Sequence, residues 1–128
     1  MELLDTLNVR LKPHDGAALR GGPPSEHPVI NGWICYRDGR PVDEFLAMAS
    51  WDVLPPTIWC LGIPGGIPTV AAQVALYPGE IVGQLASRVR GQYLHSGVMD
   101  ETAVVWDESG RVVATSRQTA IYLPPRSS

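Results

Sequence analysis

Near the end of the chain, two runs of alternating residues, GVMDETAVVWD (97–107) and RVVATSRQTAIYL (111–123), flank a short DESG turn at 107–110. Alternation on both sides of a turn closed by glycine, here Gly110, predicts a β-hairpin. Within the second arm the period of two sets Val112, Ala114, Ser116, Gln118 and Ala120 on one side. Arg111, Thr115, Arg117 and Thr119 fall on the other, with Val113 and Ile121. A row of small residues around a single amide suits a strand crossed closely by another element. An amide buried that way costs about 1–3 kcal/mol unless its donors and acceptor find partners. The hairpin therefore asks for two things: something packed against its small face, and polar groups opposite Gln118.

The stretch VDEFLAMASWDVLPP (42–56) can supply the first. Asp43 and Glu44 stand near its start, where acids suit the positive end of a helix, and Pro55 and Pro56 stop it. Its apolar residues Phe45, Leu46, Met48, Ala49 and Trp51 run nearly all the way round, which predicts a helix buried by other elements. Upstream, LLDTLNVRLK (3–12) and VINGWICYRDGRP (29–41) read as strands, the second ended by a turn at Asp38-Gly39. The Gly/Pro-rich segment between them, 13–27, is expected to be a flexible loop. Downstream, the apolar loop TIWCLGIPGGIP leads to the strand TVAAQVALYP (69–78). EIVGQLASRVRGQYL (80–94) follows, with Ile81, Leu85 and Val89 on one face and Gln84, Arg88 and Arg90 on the other. Two strands, one helix and four strands predict a single α+β domain over 1–128, a curved antiparallel sheet wrapped around one central helix.

The composition narrows the function. The chain has 128 residues, a net charge of −3 and no long basic run, so a nucleic-acid footprint is not expected. No apolar stretch approaches the ~18 residues of a membrane span, and no secretory leader pattern is visible, so a cytoplasmic protein is expected. Cys35 and Cys60 sit in apolar contexts and read as buried, reduced thiols. His14, His27 and His95 pair with no Ser or Cys at a spacing that suggests nucleophilic catalysis. PGGIP is a turn and not a phosphate loop, and Arg88, Arg90 and Arg117 read as a solvated convex face. Trp33, Trp51, Trp59 and Trp106 read as core or interface residues. No metal and no cofactor are expected.

Polar partners for Gln118 come from two places. Asp52 lies toward the C-terminal end of the predicted helix, where an acid opposes the dipole and wants an explanation. Thr69 opens the strand after the Gly/Pro loop and is expected to share a face with Ala71, Gln73 and Ala75. An acid, a hydroxyl and an amide gathered under a curved sheet can orient one water, the carboxylate accepting its proton and the others fixing its lone pairs.

Three stretches carry a resemblance to a known family. AMASWDVLPP (47–56), GIPTVAAQVALYP (66–78) and above all VVWDESGRVVATSRQTAIYL (104–123) resemble the C-terminal half of the double-hotdog acyl-CoA thioesterases, the thioesterase II or TesB-like group. The likeness runs from about residue 3 to 124. It implies a hotdog fold and a hydrolase in which Asp52, Thr69 and Gln118 activate the water that cleaves an acyl-CoA or similar thioester, with ester hydrolysis conceivable. Two departures stand out. Ala71, Ala75 and Leu76 occupy a region where that family often carries a histidine and a second aromatic, which bears on substrate preference. Family members also carry two hotdog repeats, and this chain holds one. Pairing as a homodimer that rebuilds the double sheet is therefore expected. The alternatives are a non-catalytic acyl-binding or structural hotdog half that needs a partner domain, and a hydratase, whose Asp/His pair the sequence lacks.

Overall fold

The computed structural model describes residues 6–13, 15, 22–23, 27–61 and 63–125. Its elements follow the expected order: β1 (Leu7–Leu11), β2 (Val29–Tyr36), α1 (Glu44–Ala49), β3 (Thr69–Leu76), β4 (Leu85–His95), β5 (Val98–Trp106) and β6 (Val112–Ile121). The strands make one antiparallel sheet in the order β1-β2-β4-β5-β6-β3. After β2 the chain runs over one face of the sheet as α1 and two 3-10 turns, Ser50–Asp52 and Thr57–Leu61, then returns as edge strand β3 beside β6. This is the hotdog arrangement.

The core lies between that helical segment and the covered face of the sheet. Ile30 and Ile34 of β2, Leu85 and Val89 of β4, and Ala103 and Val105 of β5 meet Leu46, Ala47, Leu54 and Cys60 there. Full burial of each larger side chain is worth about 1.5–3 kcal/mol. Gly91 of β4 lets the second 3-10 turn come down onto the sheet. A Cβ at that position would fall 2.6 Å from Thr57 Oγ1 and 2.5 Å from Met99 Cε.

The helix departs from its expected form. α1 is six residues long, with Asp43 outside it as the N-cap: its carboxylate accepts from Leu46 N at 2.9 Å. So short a helix turns one side to the sheet and buries Leu46 and Ala47, leaving Phe45 and Met48 64% and 46% exposed. The all-round burial read from its apolar residues does not occur in this chain alone.

Two β-bulges overturn two face assignments. Val105 pairs with Ala114 but Trp106 pairs with Val112, so Val113 is the extra residue of β6 and turns into the core, fully buried, while Val112 stands opposite Trp106. In β3, Thr69 pairs with Ala120 and Ala71 with Thr119. Beyond this break Ala72, Val74 and Leu76 oppose Gln118, Ser116 and Ala114, whereas Ala71, Gln73 and Ala75 oppose the other face. Thr69 therefore does not share a face with Ala71, Gln73 and Ala75. The bulge gives it the Gln118 side instead.

Of the connection at 13–27, only 13, 15, 22, 23 and 27 are described. Asp15 is tied down: its carboxylate accepts from Asn31 N at 2.8 Å and Asn31 Nδ2 at 2.9 Å. Cys60 is buried as expected, but Cys35 is only half-buried. None of the four tryptophans is fully buried. Among the described residues no helix is long and apolar enough to cross a membrane.

Candidate active site

Thr69 and Gln118 meet directly. The Thr69 hydroxyl donates to Gln118 Oε1 at 2.6 Å, across a sequence separation of 49 residues. The β3 bulge makes the meeting possible by bringing Thr69 round to the side on which Gln118, 8% exposed, is held. With its carbonyl engaged, the Gln118 amide still has two N–H donors to offer, and the Thr69 oxygen still has lone pairs. The small residues of β6 now have their reason: Ala114, Ser116 and Ala120 flank Gln118 where α1 lies across β6 and β3.

Both side chains line a cavity of about 350 Å³ that also takes in Asp52, Trp51, Pro68 and Glu101. All three residues singled out in the sequence thus border one space. Asp52 does so from the 3-10 turn that extends α1, just ahead of Pro55 and Pro56. It is an exposed residue that makes no side-chain hydrogen bond among the described residues. Partial desolvation at the cavity wall pushes its pKa above the ordinary aspartate value. Thr69, like Asp52, is exposed; only Gln118 is enclosed.

Glu101 is the residue that sequence reasoning passes over. It stands directly opposite Gln118 in the β5–β6 register, 3% exposed, and its Oε1 has no hydrogen-bond partner among the described residues. Burial drives its pKa up to about 7, and the nearby Asp52 charge adds to the rise. Thr57 presents a backbone N–H and a hydroxyl that pull the other way without offsetting the burial. Neither Thr57 Oγ1 nor Glu101 Oε1 settles into a well-formed hydrogen bond. A signal existed in the sequence: Met99, Glu101, Ala103 and Val105 alternate as one buried face, with an acid in an apolar row.

A larger groove of about 590 Å³ shares no residue with this cavity. Its cations are engaged already, Arg10 donating to Gln84 and Arg40 stacked 4.0 Å over the Tyr36 ring and paired with Asp38. Among the described residues no group of three His, Cys, Asp or Glu side chains is placed to hold a metal ion.

The sequence matches the family of acyl-CoA thioesterase C-terminal domains over residues 1–122. The chain belongs to that family. A candidate thioesterase II from Thermobifida fusca YX is 31% identical to this thioesterase domain, with a TM-score of 0.81, over 94% of this chain and 47% of that one. A hot dog fold protein from Alicyclobacillus acidocaldarius, of unknown function, superposes with a TM-score of 0.78 at 23% identity, over 95% and 47%. The acyl-CoA thioesterase II TesB2 of Mycobacterium marinum does so at 0.65 with 15% identity, over 95% and 50%, a likeness of fold. The thioesterase domain thus spans about half the length of these structures. No curated protein matches it.

Proposed function

We propose that this domain carries the chemistry of a hydrolase that cleaves acyl-CoA or a similar thioester with a water held by Asp52, Thr69 and Gln118. The observation that carries the reading is the 2.6 Å Thr69–Gln118 hydrogen bond at the wall of a cavity that Asp52 also lines. In this reading the ionised Asp52 carboxylate takes a proton from the water as its oxygen attacks the thioester carbonyl. Thr69 Oγ1 accepts the water's second O–H, and a Gln118 N–H faces the oxygen on which negative charge develops, with help from a backbone N–H. Attack by water needs no covalent intermediate. The same water could attack an ordinary ester, which makes ester hydrolysis a side activity of this site.

A second hotdog would complete the molecule. Among the described residues edge strand β3 has no neighbour on its outer side, and Val70 on it, Tyr77 just past it, and Phe45 and Met48 on α1 are exposed. Relatives of twice the length support the same idea. We propose a homodimer that rebuilds the double sheet, in the cytoplasm, acting in lipid metabolism. Light scattering should return twice the chain mass, and a monomer at micromolar concentration would count against it.

A non-catalytic acyl-binding half is the competing reading, favoured by the exposure of Asp52 and Thr69 in the lone chain. Thiol release from short, medium and long acyl-CoAs separates the two. Asp52→Asn and Gln118→Ala should each lower kcat by about 10²-fold or more. A parent protein that releases no thiol above background on any chain length would defeat the hydrolase reading.

A further inference from the structure

We propose that Glu101 is a second acid of this site, a neutral carboxylic acid whose proton goes to the sulfur as the thiol leaves. The inference rests on the hydrolase reading above and adds a catalytic residue to it. Glu101 lines the same cavity as Asp52, Thr69 and Gln118 and sits across from Gln118 in the sheet. It is 3% exposed, and its Oε1 has no partner among the described residues. A buried acid without an ion-pair partner costs stability, and an apolar or amide side chain of similar size would fill the same volume more cheaply. Such groups mark places where chemistry and not packing has set the residue.

The charges around it assign its role. Asp52, from the 3-10 turn, is the one charged group acting on Glu101 among the described residues, while β4 presents Gly91, β6 presents Gln118 and the second 3-10 turn presents Thr57. Two carboxyls bordering one cavity, one exposed and one enclosed, separate into a base and an acid. The exposed Asp52 ionises first, and the enclosed Glu101 keeps its proton to about pH 7.

The step then balances. Water's oxygen bonds to the carbonyl carbon, the C=O pair moves onto oxygen, and water's proton passes to Asp52. Next the C–S bond breaks, its pair leaves on sulfur, the C=O bond re-forms, and the Glu101 proton moves to that sulfur. The proton held by Asp52 afterwards returns to Glu101 by way of solvent, leaving a carboxylic acid and a thiol from one thioester and one water.

Leaving-group chemistry tests this. Alkyl thiols such as CoA are weaker acids than aryl thiols, so their departure gains more from a proton delivered to sulfur. Glu101→Gln should therefore lower kcat by about 10²-fold on an acyl-CoA and by less than about 5-fold on the matching S-aryl thioester. The parent's loss of activity above about pH 7 should vanish in the variant. Equal losses on both thioesters, or none on either, would overturn the assignment. Asp52→Asn, the base, should lose both substrates alike. If the parent hydrolyses no thioester at all, the hydrolase reading falls by itself. Infrared titration then still decides the state of Glu101: a protonated-carboxyl band that disappears near pH 7 and is missing from Glu101→Gln is expected. A Glu101 already ionised at pH 5 would sink the proposal independently, as would a Glu101→Asp variant whose ratio of acyl-CoA to S-aryl rates stays at the Glu101→Gln value.

Discussion

Glu101 lies within the buried row of β5 that also carries Met99, Ala103 and Val105, Asp107 lies one residue past that strand, and each is less than 5% exposed. Asp107, at the hairpin turn, has its oxygens filled. Its carboxylate accepts from Val82 N, Ser109 N, Ser109 Oγ and Arg111 N, at 2.6–3.2 Å. Those donors favour the charged form and pull its pKa down to about 2. Glu101, at the cavity, has an oxygen without a partner among the described residues and a desolvated carboxyl, and its pKa goes the opposite way, to about 7. The two differ in donors and in desolvation, which dominates at Glu101 and is outweighed by hydrogen bonds at Asp107. Burial of an acid makes a structural anchor where backbone N–H groups converge on it, and a proton-holding group where they do not.

The contrast can be broken at several points. The largest effect belongs to the cavity end. Gln118→Ala should cut thioester turnover by about 10²-fold, while Asp107→Asn should leave turnover per folded molecule within about two-fold, measured as kcat at 20 °C. A large kcat loss in Asp107→Asn would erase the division between anchor and site.

The next effect is on stability. Glu101 binds its proton up to about pH 7 in the folded chain but only to about 4.5 when unfolded. The folded state therefore holds the extra proton between these values, and stability falls as pH climbs from 4.5 through 7. Glu101→Gln removes that loss. Urea unfolding should show it more stable than the parent at pH 8, by on the order of 2 kcal/mol, and nearly equal at pH 4.5. A variant destabilised at both pH values would mean that Glu101 is a structural residue.

Asp107 obeys the reverse sign. Its folded pKa lies below the unfolded 3.8, so its contribution is complete above that value and fades as pH drops toward 2. Asp107→Asn should lower Tm at pH 7 by a few degrees and shrink the gap to the parent at pH 2. Smallest of all is the change at Asp100, the neighbour that points to the other face and bonds Arg117 at 3.0 Å and Thr119 at 2.8 Å. Its ion-pair partner is 64% exposed, so Asp100→Asn should move Tm by about a degree.

Much of this was legible in residue patterns. The order of elements along the chain and the hairpin with Gly110 in a left-handed conformation (φ 85°) follow from alternation and turn chemistry. The small face around Gln118 does so too, because period two is a local property of extended backbone. Asp52 and Gln118 were visible as polar residues out of place, and Thr69 only as the residue that opens its strand. The route by which Thr69 reaches Gln118 was not. A bulge depends on what the neighbouring strand and the preceding Gly/Pro loop demand, and so does the inward turn of Val113. Helix length escaped for a similar reason: apolar residues on every side of 45–51 describe what must eventually be covered, not how many turns this chain forms.

Which residues alternate, where the chain turns and what kinds of chemistry it can carry were set by the sequence alone, since each depends on neighbours a few positions away. Tertiary structure decided which acid is satisfied and which is stranded. Glu101 and Asp107 are both buried acids, and only the arrival of Val82, Ser109 and Arg111 at one, and of a cavity wall at the other, tells them apart. Electrostatic environment is a property of donors brought in from distant parts of the chain, so it comes into being only when the sheet closes.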